Sequence, residues 1–470
     1  MNSFTSKRIS TPQEKHKEIR SSLFRRVIKY IPKNKKEYQQ KKIPFYFLVV
    51  ATLTAAIIIF KVTYTSYLYL THFEIKDLIG IFSAELQTDS KNRTNILVLG
   101  TGGAEHDGGN LTDTIMIASL NKAKHTVSIV SIPRDLWLDF PGYGSSRVNK
   151  IYDTLKDKYG SEQALDILKE GIQNISNVSI PYYVKIDFEG FKQVIDTLGG
   201  IEITVEKSIY DTSYPTEDKA YEIFTLEAGT QIMDGETALK YARSRHSTSD
   251  FDRALRQQAI INAIKEKGKE TNIISSPLLL KRLYEDFSDH IETNLKTTEL
   301  ISVARFAENF DNENLTSAVL RDVDIIDVGS FLYTPERELY GGAFVLVPLG
   351  ETYEKIQRFI SIVFDYPEFF KENAGIQILN GSTNFGQASR LNQKLLPYGF
   401  NIQNLANADR KNYTETHYYI NNPENTRVTE EVLKLFLPKA IKVKVDPPES
   451  FDTSYDITIV MGKESDTSNL

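Results

Sequence analysis

The chain has 470 residues, no cysteine and a formal net charge of −6 at pH 7. The missing cysteines exclude a disulfide framework, a thiolate metal site and a cysteine nucleophile. The length predicts about two to four domains, and the apolar fraction of 41% and charged fraction of 25% are ordinary for a globular protein.

The first 62 residues combine a basic tail with an apolar segment. Residues 1–42 contain thirteen Lys and Arg against three Glu, and residues 43–60 contain no charged side chain. A membrane span needs about 20 apolar residues, which the segment reaches when Lys61 extends its amine to the interface. Because basic flanks stay inside, the pattern predicts a cytoplasmic tail over 1–42 and a transmembrane anchor over 43–62. The bulk is then extracytoplasmic, in single-pass type II topology at the cell membrane.

Two alternatives stay open for this N-terminus. One is a cleaved signal peptide, although the basic region is long for one and good cleavage positions are lacking after Phe60. The other is a tail that binds nucleic acid. The rest of the chain is acidic overall, so we expect a local anion site there and no nucleic-acid partner.

Short apolar runs and helical patterns alternate after a polar juxtamembrane stalk at 71–92. Predicted strands are 95–100, 112–120, 126–133, 182–188, 201–209 and 342–350. Predicted helices are 143–160, 161–175, 190–200 and 353–364, with 253–310 mostly helical. This alternation predicts an α/β or α+β domain built on a sheet. The glycine-rich loop 101–110 matches neither the P-loop nor the dinucleotide fingerprint, so it does not indicate a nucleotide site.

A second, smaller domain is predicted after a linker at 365–375. Its predicted strands are 376–382, 416–420 and 454–462, and its predicted helices are 388–400 and 427–437. This pattern predicts a small α+β domain over 375–462 without an evident catalytic constellation. The polar tail 463–470 is typical of disorder.

Four arginines crowd into the segment YARSRHSTSDFDRALRQQ. On a strand Arg243 and Arg245 would share a face, and on a helix Arg253 and Arg256 would share one beside Gln257. A planar guanidinium matches phosphate oxygens with two hydrogen bonds, so a strand-loop-helix with these residues predicts a phosphate site. A solvated face laced with salt bridges is the alternative interpretation.

Several motifs, taken together and in order, resemble the LytR-CpsA-Psr family of bacterial cell-envelope proteins. They are TDTIM at 112–116, SIPRD at 131–135, the stretch 183–187 with Gly190 and Phe191, LGG at 198–200, and the arginine segment described above. The resemblance is strong over about 93–260 and weaker to about 365. The second domain resembles the LytR C-terminal domain, which LNG at 379–381 would open.

This resemblance implies a fold, an activity and partners. The fold is an α-β-α sandwich-like catalytic domain over 93–365 with a central mixed sheet. The activity is phosphotransfer, in which a glycopolymer moves from a polyprenyl-pyrophosphate carrier to peptidoglycan with Mg²⁺ as cofactor. The implied partners are the lipid-linked glycan, the peptidoglycan acceptor and the membrane.

The family's site residues carry over onto matching positions of this chain. The implied catalytic set is Arg134, Arg243, Arg245 and Asp250, with Asp250 as the candidate that activates the acceptor hydroxyl. The implied substrate-binding set is Arg253, Arg256 and Gln257. Asp113 matches the metal-binding aspartate, and a carboxylate suits Mg²⁺ because this ion takes hard oxygen ligands and shares them with substrate phosphates.

Two positions depart from the family pattern. The family has an aspartate where this chain has Gly102, and an arginine where it has Leu111. Asp107 or Glu105, in the same loop, is a candidate for the missing second metal carboxylate. The alternative is that both are solvated loop residues.

Three functions stay open on the sequence. The first is the glycopolymer ligase, and the second is a hydrolase that cleaves polyprenyl-pyrophosphate conjugates with water. These two differ only in what attacks the phosphorus, so sequence does not separate them. The third is a non-enzymatic lipid-glycan binder or transcription attenuator, although residues 1–42 have no evident helix-turn-helix pattern.

Overall fold

The computed structural model describes residues 84–463, except for 104–105, 107, 217–219, 245–249, 272–282, 286, 309, 311, 321–329, 351, 445–446 and 449. The side chains of 250–255 and 258 are also not described. The predicted tail and anchor, and most of the predicted stalk, lie outside these residues. Within the described part of the chain, no helix is long and apolar enough to cross a membrane.

The described chain alternates strands and helices along most of its length. The strands are β1 (Arg93–Thr101), β2 (Thr114–Asn121), β3 (Thr126–Ser131), β4 (Trp137–Phe140), β5 (Gly144–Arg147), β6 (Tyr182–Asp187), β7 (Ile201–Val205), β8 (Ile209–Pro215), β9 (Tyr221–Leu226), β10 (Gly229–Met233), β11 (Ile291–Thr293), β12 (Leu315–Val319), β13 (Leu332–Tyr333), β14 (Val347–Pro348), β15 (Gly375–Asn380), β16 (Asn401–Asn407), β17 (His417–Ile420), β18 (Ile441–Lys442) and β19 (Ile457–Met461). The helices are α1 (Val148–Tyr159), α2 (Ser161–Ser176), α3 (Phe188–Thr197), α4 (Gly235–Arg243), α5 (Asp250–Glu270), α6 (Thr297–Glu308), α7 (Glu354–Asp365), α8 (Pro367–Glu372), α9 (Gln387–Leu395) and α10 (Arg427–Phe436).

A six-stranded mixed sheet with the order β11-β6-β1-β2-β3-β12 forms the centre of the larger part of the chain. The pairs β1/β6 and β3/β12 are parallel, and the other three pairs are antiparallel. The predicted α/β class with a central mixed sheet is confirmed.

Apolar side chains cover both faces of the central strand β1. Leu97 and Leu99 are fully buried against the core that α1, α2 and α7 supply. Ile96 points to the opposite face, where it packs in a cluster with Leu295 and side chains of α6. A strand buried on both faces is apolar at nearly every position rather than at alternate ones, which accounts for the continuous run NILVLG.

The strand directions bring four chain segments to one edge of this sheet. β1, β3 and β6 run the same way, so Thr101, Ser131 and Asp187 end at that edge, and antiparallel β2 begins there at Thr114. The β1–β2 loop, the loop that follows β3 and the start of α3 therefore meet at these four strand ends. This is the edge where α/β sheets place ligands.

A second apolar core supports the arginine segment. The antiparallel pairs β7/β10 and β8/β9 pack with α3, α4 and α5 through a cluster that includes Ile195, Ile203, Phe224 and Ile260. The structure makes the predicted strand around Arg243 wrong, because residues 235–243 form helix α4 and Arg243 is its last residue. Asp234 begins that helix by accepting a hydrogen bond from the Thr237 N–H at 2.8 Å.

The C-terminal part of the chain forms a five-stranded sheet with the order β16-β15-β19-β17-β18 and two helices, α9 and α10. A C-terminal domain is thus present, as predicted. The predicted linker at 365–375 is wrong, since it contains helix α8 with a buried Phe369. The apolar core runs without a break from Leu97 through Phe369 to Phe400 and Ile459.

Two other local expectations are also wrong. The predicted strand 342–350 is reduced to the two residues of β14, because most of the segment is irregular. The segment before α1 is not helical, since residues 144–147 form β5 opposite β4. β5 places Arg147 directly opposite Trp137 in an antiparallel pair.

Replacing Phe369 by alanine tests whether the two sheets share one core. The Phe369 ring lies 4.8 Å from the ring of Phe400 and is 2% exposed. We expect Phe369→Ala to lower the free energy of unfolding by about 3–5 kcal/mol, measured by urea denaturation, in a single transition. Phe385→Ala is the control, because that ring is 90% exposed. Two separate transitions of which only one moves would contradict a continuous core.

Candidate active site

A cavity of about 570 Å³ opens at the edge of the sheet where the four segments meet. It is lined by Gly102, His106, Gly108, Leu111, Asp113, Thr114, Arg134, Phe188, Asp211, Ser213, Pro215, Tyr221, Ala242, Arg243 and Gln257. Four of the residues predicted from the sequence, Asp113, Arg134, Arg243 and Gln257, are therefore brought together on its walls.

The glycine-rich loop after β1 closes on itself. The N–H of Gly103 donates to the carbonyl of Gly109 at 2.9 Å, and the N–H of Gly109 donates to the carbonyl of His106 at 2.8 Å. A Cβ at position 109 would lie 1.7 Å from the Gly103 carbonyl oxygen, so only glycine fits there. The loop glycines thus allow a tight ring, and Gly102, His106, Gly108, Leu111 and Asp113 lie on the cavity wall.

His106 fills the space where a side chain at position 102 would lie. A Cβ on Gly102 would be 2.9 Å from the Cβ of His106 and 3.0 Å from its ring, although the backbone there suits any residue. The His106 ring packs edge-on against Phe188, with 5.3 Å between centroids. A side chain at position 102 and the His106 side chain therefore compete for the same space, so a larger residue at 102 requires His106 to move.

Asp113 and Arg134 form an ion pair at the cavity wall. Arg134 Nη1 lies 3.1 Å from Asp113 Oδ1, and the two side chains are 31% and 43% exposed. Arg134 Nε also lies 3.4 Å from Asp135 Oδ2, and Arg147 Nη1 donates to Asp135 Oδ1 at 2.7 Å. Asp135 is thus already shared by two arginines, which leaves the Arg134 guanidinium oriented towards Asp113.

Two aromatic rings hold the guanidinium of Arg243. Its Cζ lies 4.3 Å from the ring centroid of Phe188 and 5.4 Å from that of Tyr214. Arg243 Nη1 donates to the Tyr214 hydroxyl at 3.1 Å, and Nη2 lies 3.5 Å from His106 Nε2. Burial raises the pKa of Tyr214 to about 12, so this hydroxyl remains neutral beside the cation. Stacking on faces leaves the edge of the guanidinium, where its donors lie, available to an anion.

Arg256 is not among the residues that line the cavity, and it joins α4 to α5. It is 8% exposed, and its guanidinium donates to the carbonyl of Tyr241 at 3.0 Å and to the carbonyl of Ser244. The Ser244 hydroxyl in turn donates to Asp211 at 2.8 Å. These contacts are structural, and substrate binding by Arg256 stays a prediction that they do not support.

The other predicted site residues fall outside what the structure describes. Arg245 and Asp107, with Glu105, are not among the described residues, and Asp250 and Arg253 lie in α5 with undescribed side chains. Their roles stay predictions.

The donor set fits Mg²⁺ held jointly by the protein and a substrate. Within the described residues, no group of three or more His, Asp or Glu side chains is placed to hold a metal ion. Asp113 nevertheless places a half-exposed carboxylate on the cavity wall. One carboxylate is sufficient for Mg²⁺ when substrate phosphates and water complete the octahedral shell.

Three residues of the site were missed by the sequence analysis. Phe188 is the last residue of a predicted strand, and its place at the carboxyl end of the sheet was an available signal. Tyr214 contacts Arg243 across 29 positions, and Asn149 contacts Asp113 across 36. Contacts over such separations depend on the tertiary fold and leave no local pattern.

A family model agrees with this combination of fold and site. The LytR_cpsA_psr family matches residues 64–341, which is more than half of the chain. The chain belongs to the LytR_cpsA_psr family. A second family model, described as LytR cell envelope-related transcriptional attenuator, matches residues 373–464 and coincides with the five-stranded sheet.

Named relatives exist among bacterial cell-wall proteins. The polyisoprenyl-teichoic acid–peptidoglycan teichoic acid transferase TagT of Bacillus subtilis is 28% identical over 212 residues, which cover 44% of this chain and 60% of TagT. The cell wall biosynthesis protein LcpA of Corynebacterium glutamicum is 23% identical over 371 residues, which cover 72% of this chain and 68% of LcpA. The crystal structure of B. subtilis TagV superposes with a TM-score of 0.43 at 24% identity, over 59% of this chain and 99% of that one. The alignment with TagT thus spans about three fifths of that relative.

An aspartate at position 102 tests whether the side chains at positions 102 and 106 exclude each other sterically. We expect Gly102→Asp alone to lower the free energy of unfolding by about 1–3 kcal/mol, because the new Cβ overlaps His106. The double variant Gly102→Asp/His106→Gly removes the overlap and should recover stability and bind Mg²⁺ more tightly than the parent. Thermal unfolding and calorimetric Mg²⁺ titration measure the two effects, with His106→Gly as the control. A single Gly102→Asp variant as stable as the parent would refute the steric argument.

The contacts of Arg256 lead to a stability prediction. Arg256→Ala leaves two buried carbonyls without their charged donor, so we expect a loss of about 2–4 kcal/mol in the free energy of unfolding. Gln257→Ala changes the next residue, which lines the cavity, and should leave stability almost unchanged. Urea denaturation distinguishes the two. If Arg256→Ala kept full stability but lost substrate binding, the arginine would belong to the substrate site.

Proposed function

We propose that this LytR_cpsA_psr protein is a membrane-anchored, Mg²⁺-dependent phosphotransferase that moves a glycopolymer from a polyprenyl-pyrophosphate carrier to peptidoglycan. The observation that carries the proposal is that two guanidinium groups, of Arg134 and Arg243, and the carboxylate of Asp113 line one cavity. The similarity to TagT, which is named a polyisoprenyl-teichoic acid–peptidoglycan teichoic acid transferase, supports the same class of donor and acceptor.

The cations of the cavity suit a diphosphate. Arg243 is held between aromatic rings, so its orientation is set before a ligand arrives. Arg134 keeps its place through Asp113 and Asp135 and can exchange the Asp113 carboxylate for a phosphate oxygen. Phosphoryl transfer depends mainly on positioning and on neutralising charge, which two oriented guanidinium groups supply.

The proposed reaction balances as a displacement at phosphorus. The acceptor hydroxyl oxygen forms a bond to the phosphorus that carries the glycan, and the bond from that phosphorus to the bridging oxygen breaks. Polyprenyl phosphate leaves with the bridging oxygen, and the hydroxyl proton passes to a base, for which Asp250 is the candidate. Bound Mg²⁺ would neutralise charge on the diphosphate, with Asp113 as its protein ligand.

Arginine substitutions in the full-length chain test this function. We expect Arg243→Ala and Arg134→Ala each to lower transfer about 100-fold, because each removes an oriented donor to the diphosphate. The assay follows polyprenyl phosphate release and glycan phosphodiester formation, with peptidoglycan present or absent and with Mg²⁺ or EDTA.

The matched control is Arg410→Ala in the C-terminal domain. That guanidinium also lies over an aromatic ring, 5.1 Å from the centroid of Tyr413, but it is remote in sequence from the cavity residues. The Arg410→Ala variant should retain parental activity.

Release of polyprenyl phosphate without glycan transfer, even with acceptor present, would favour the hydrolase. Binding without release would favour a lipid-glycan binder.

A further inference from the structure

Asn149 links the segment that carries Asp113 to the segment that carries Arg134. It is the second residue of α1 and is 2% exposed. Its N–H donates to the carbonyl of Arg134 at 3.2 Å, and its carbonyl accepts from the N–H of Thr112 at 3.1 Å. The backbone of this one buried residue thus sets the distance between Arg134 and the segment that carries Asp113.

The Asn149 side chain acts on Asp113 directly. Its Nδ2 donates to Asp113 Oδ1 at 3.3 Å, the same oxygen that Arg134 contacts. A carboxylate only accepts hydrogen bonds, so the amide must present its nitrogen to it. The Asn149 Oδ1 is buried and has no hydrogen-bond partner among the described residues. A buried amide oxygen without a hydrogen-bond partner lowers the stability of the fold. That the amide nevertheless donates to the Asp113 carboxylate points to a role at the site.

We propose that Asn149 is a positioning residue that holds the Asp113 carboxylate for a divalent cation. This inference rests on the proposed function, because it concerns the cation that assists the diphosphate. Two donors on Oδ1 fix the plane of the carboxylate and direct Oδ2, which bonds to no described residue, as the ligand atom. When Arg134 turns to a phosphate, Asn149 remains as the donor that keeps this orientation.

The role matters more in this chain than in a site with two carboxylates. Among the described residues, no group of three or more His, Asp or Glu side chains is placed to hold a metal ion, so Asp113 has no cage of further protein ligands there. A single ligand cannot rely on a second one to orient the ion. Outer-shell hydrogen bonds to metal ligands typically change metal affinity or activity by about 10–100-fold.

The experiment measures cation binding at a fixed concentration of inorganic pyrophosphate, which supplies the phosphate oxygens without donor or acceptor. Mn²⁺ is the probe, electron paramagnetic resonance counts free ion, and the Asp113→Ala variant gives the Mn²⁺ that pyrophosphate binds alone. Asn149→Leu keeps a similar volume, removes the donor and also removes the unsatisfied oxygen. We expect it to weaken the Asp113-dependent Mn²⁺ site about tenfold. In an Asp113→Ala background the same substitution should have no further effect, because its action passes through that carboxylate.

Asn95→Leu is a closely matched control. Asn95 is also fully buried, has an unpartnered Oδ1 among the described residues, and donates Nδ2 to an aspartate, Asp89, at 3.0 Å. It lies near the start of β1, whereas the cavity is at the end of that strand. It should leave Mn²⁺ binding unchanged. Asn149→Ser, whose hydroxyl is too short to reach Asp113, repeats the test if the leucine variant does not fold.

Four results would overturn the proposal. They are unchanged Mn²⁺ binding in Asn149→Leu or Asn149→Ser, an equal loss in the Asp113→Ala background, an equal loss in Asn95→Leu, and a parent protein whose Mn²⁺ binding does not depend on Asp113. Failure of the proposed function is a separate outcome. In that case the parent would bind Mn²⁺ with dependence on Asp113 and Asn149, yet would transfer no glycan in the donor and acceptor assay.

Discussion

The ion pair between Asp113 and Arg134 determines what the cavity can bind. The two side chains are 43% and 31% exposed, so water screens their attraction and the pair adds only about 0–1 kcal/mol to stability. Its effect is positional, because it stops the guanidinium from turning into solvent while no anion is bound. Under the proposed function, a donor phosphate would replace the carboxylate at little cost, and the carboxylate would then be available to a cation.

A contrasting ion cluster lies at the beginning of β1. Arg93 and Asp89 are 7% and 6% exposed, and Arg93 also pairs with Asp365 at the end of α7, at 2.7 Å. Burial alone would raise the pKa of Asp89, but hydrogen bonds from Arg93 and Asn95 outweigh it and leave that pKa lowered. This carboxylate is therefore ionised and committed to its partners. The same sheet thus has a closed, structural cluster at one end and an open, exchangeable pair at the other.

The strands and several site residues could be predicted from sequence because their signals are local. Apolar runs located β1, β2, β3 and β6. The motifs singled out Asp113, Arg134 and Arg243, which line one cavity in the structure. The local conformation of the arginine segment was wrong, since alternation of Arg243 and Arg245 suggested a strand where packing of Ala238 and Tyr241 on the second core stabilises a helix. Period-two and helical patterns are hard to distinguish in a short charged segment.

The side chains that orient the site could not be predicted in the same way. Phe188 and Tyr214 hold Arg243 from two different elements, and Asn149 reaches Asp113 from a third. Each contact exists because the sheet edge gathers distant segments. Arg256 shows the reverse case, in which a residue of a charged motif turns inward because the carbonyls of Tyr241 and Ser244 require a donor.

The described charges on the cavity wall set its electrostatic balance. Among the described residues of the cavity wall, the guanidinium groups of Arg134 and Arg243 face the Asp113 carboxylate, while Asp211 is engaged by Ser244 and by the N–H of Ser213. A site with excess positive charge binds a diphosphate more readily and a free divalent cation less readily than one with two carboxylates. Under the proposed function, a cation in this site would depend on the phosphates of the donor and on how firmly the Asp113 carboxylate is held. Binding of donor and metal would then be coupled, since each would complete the ligand shell of the other.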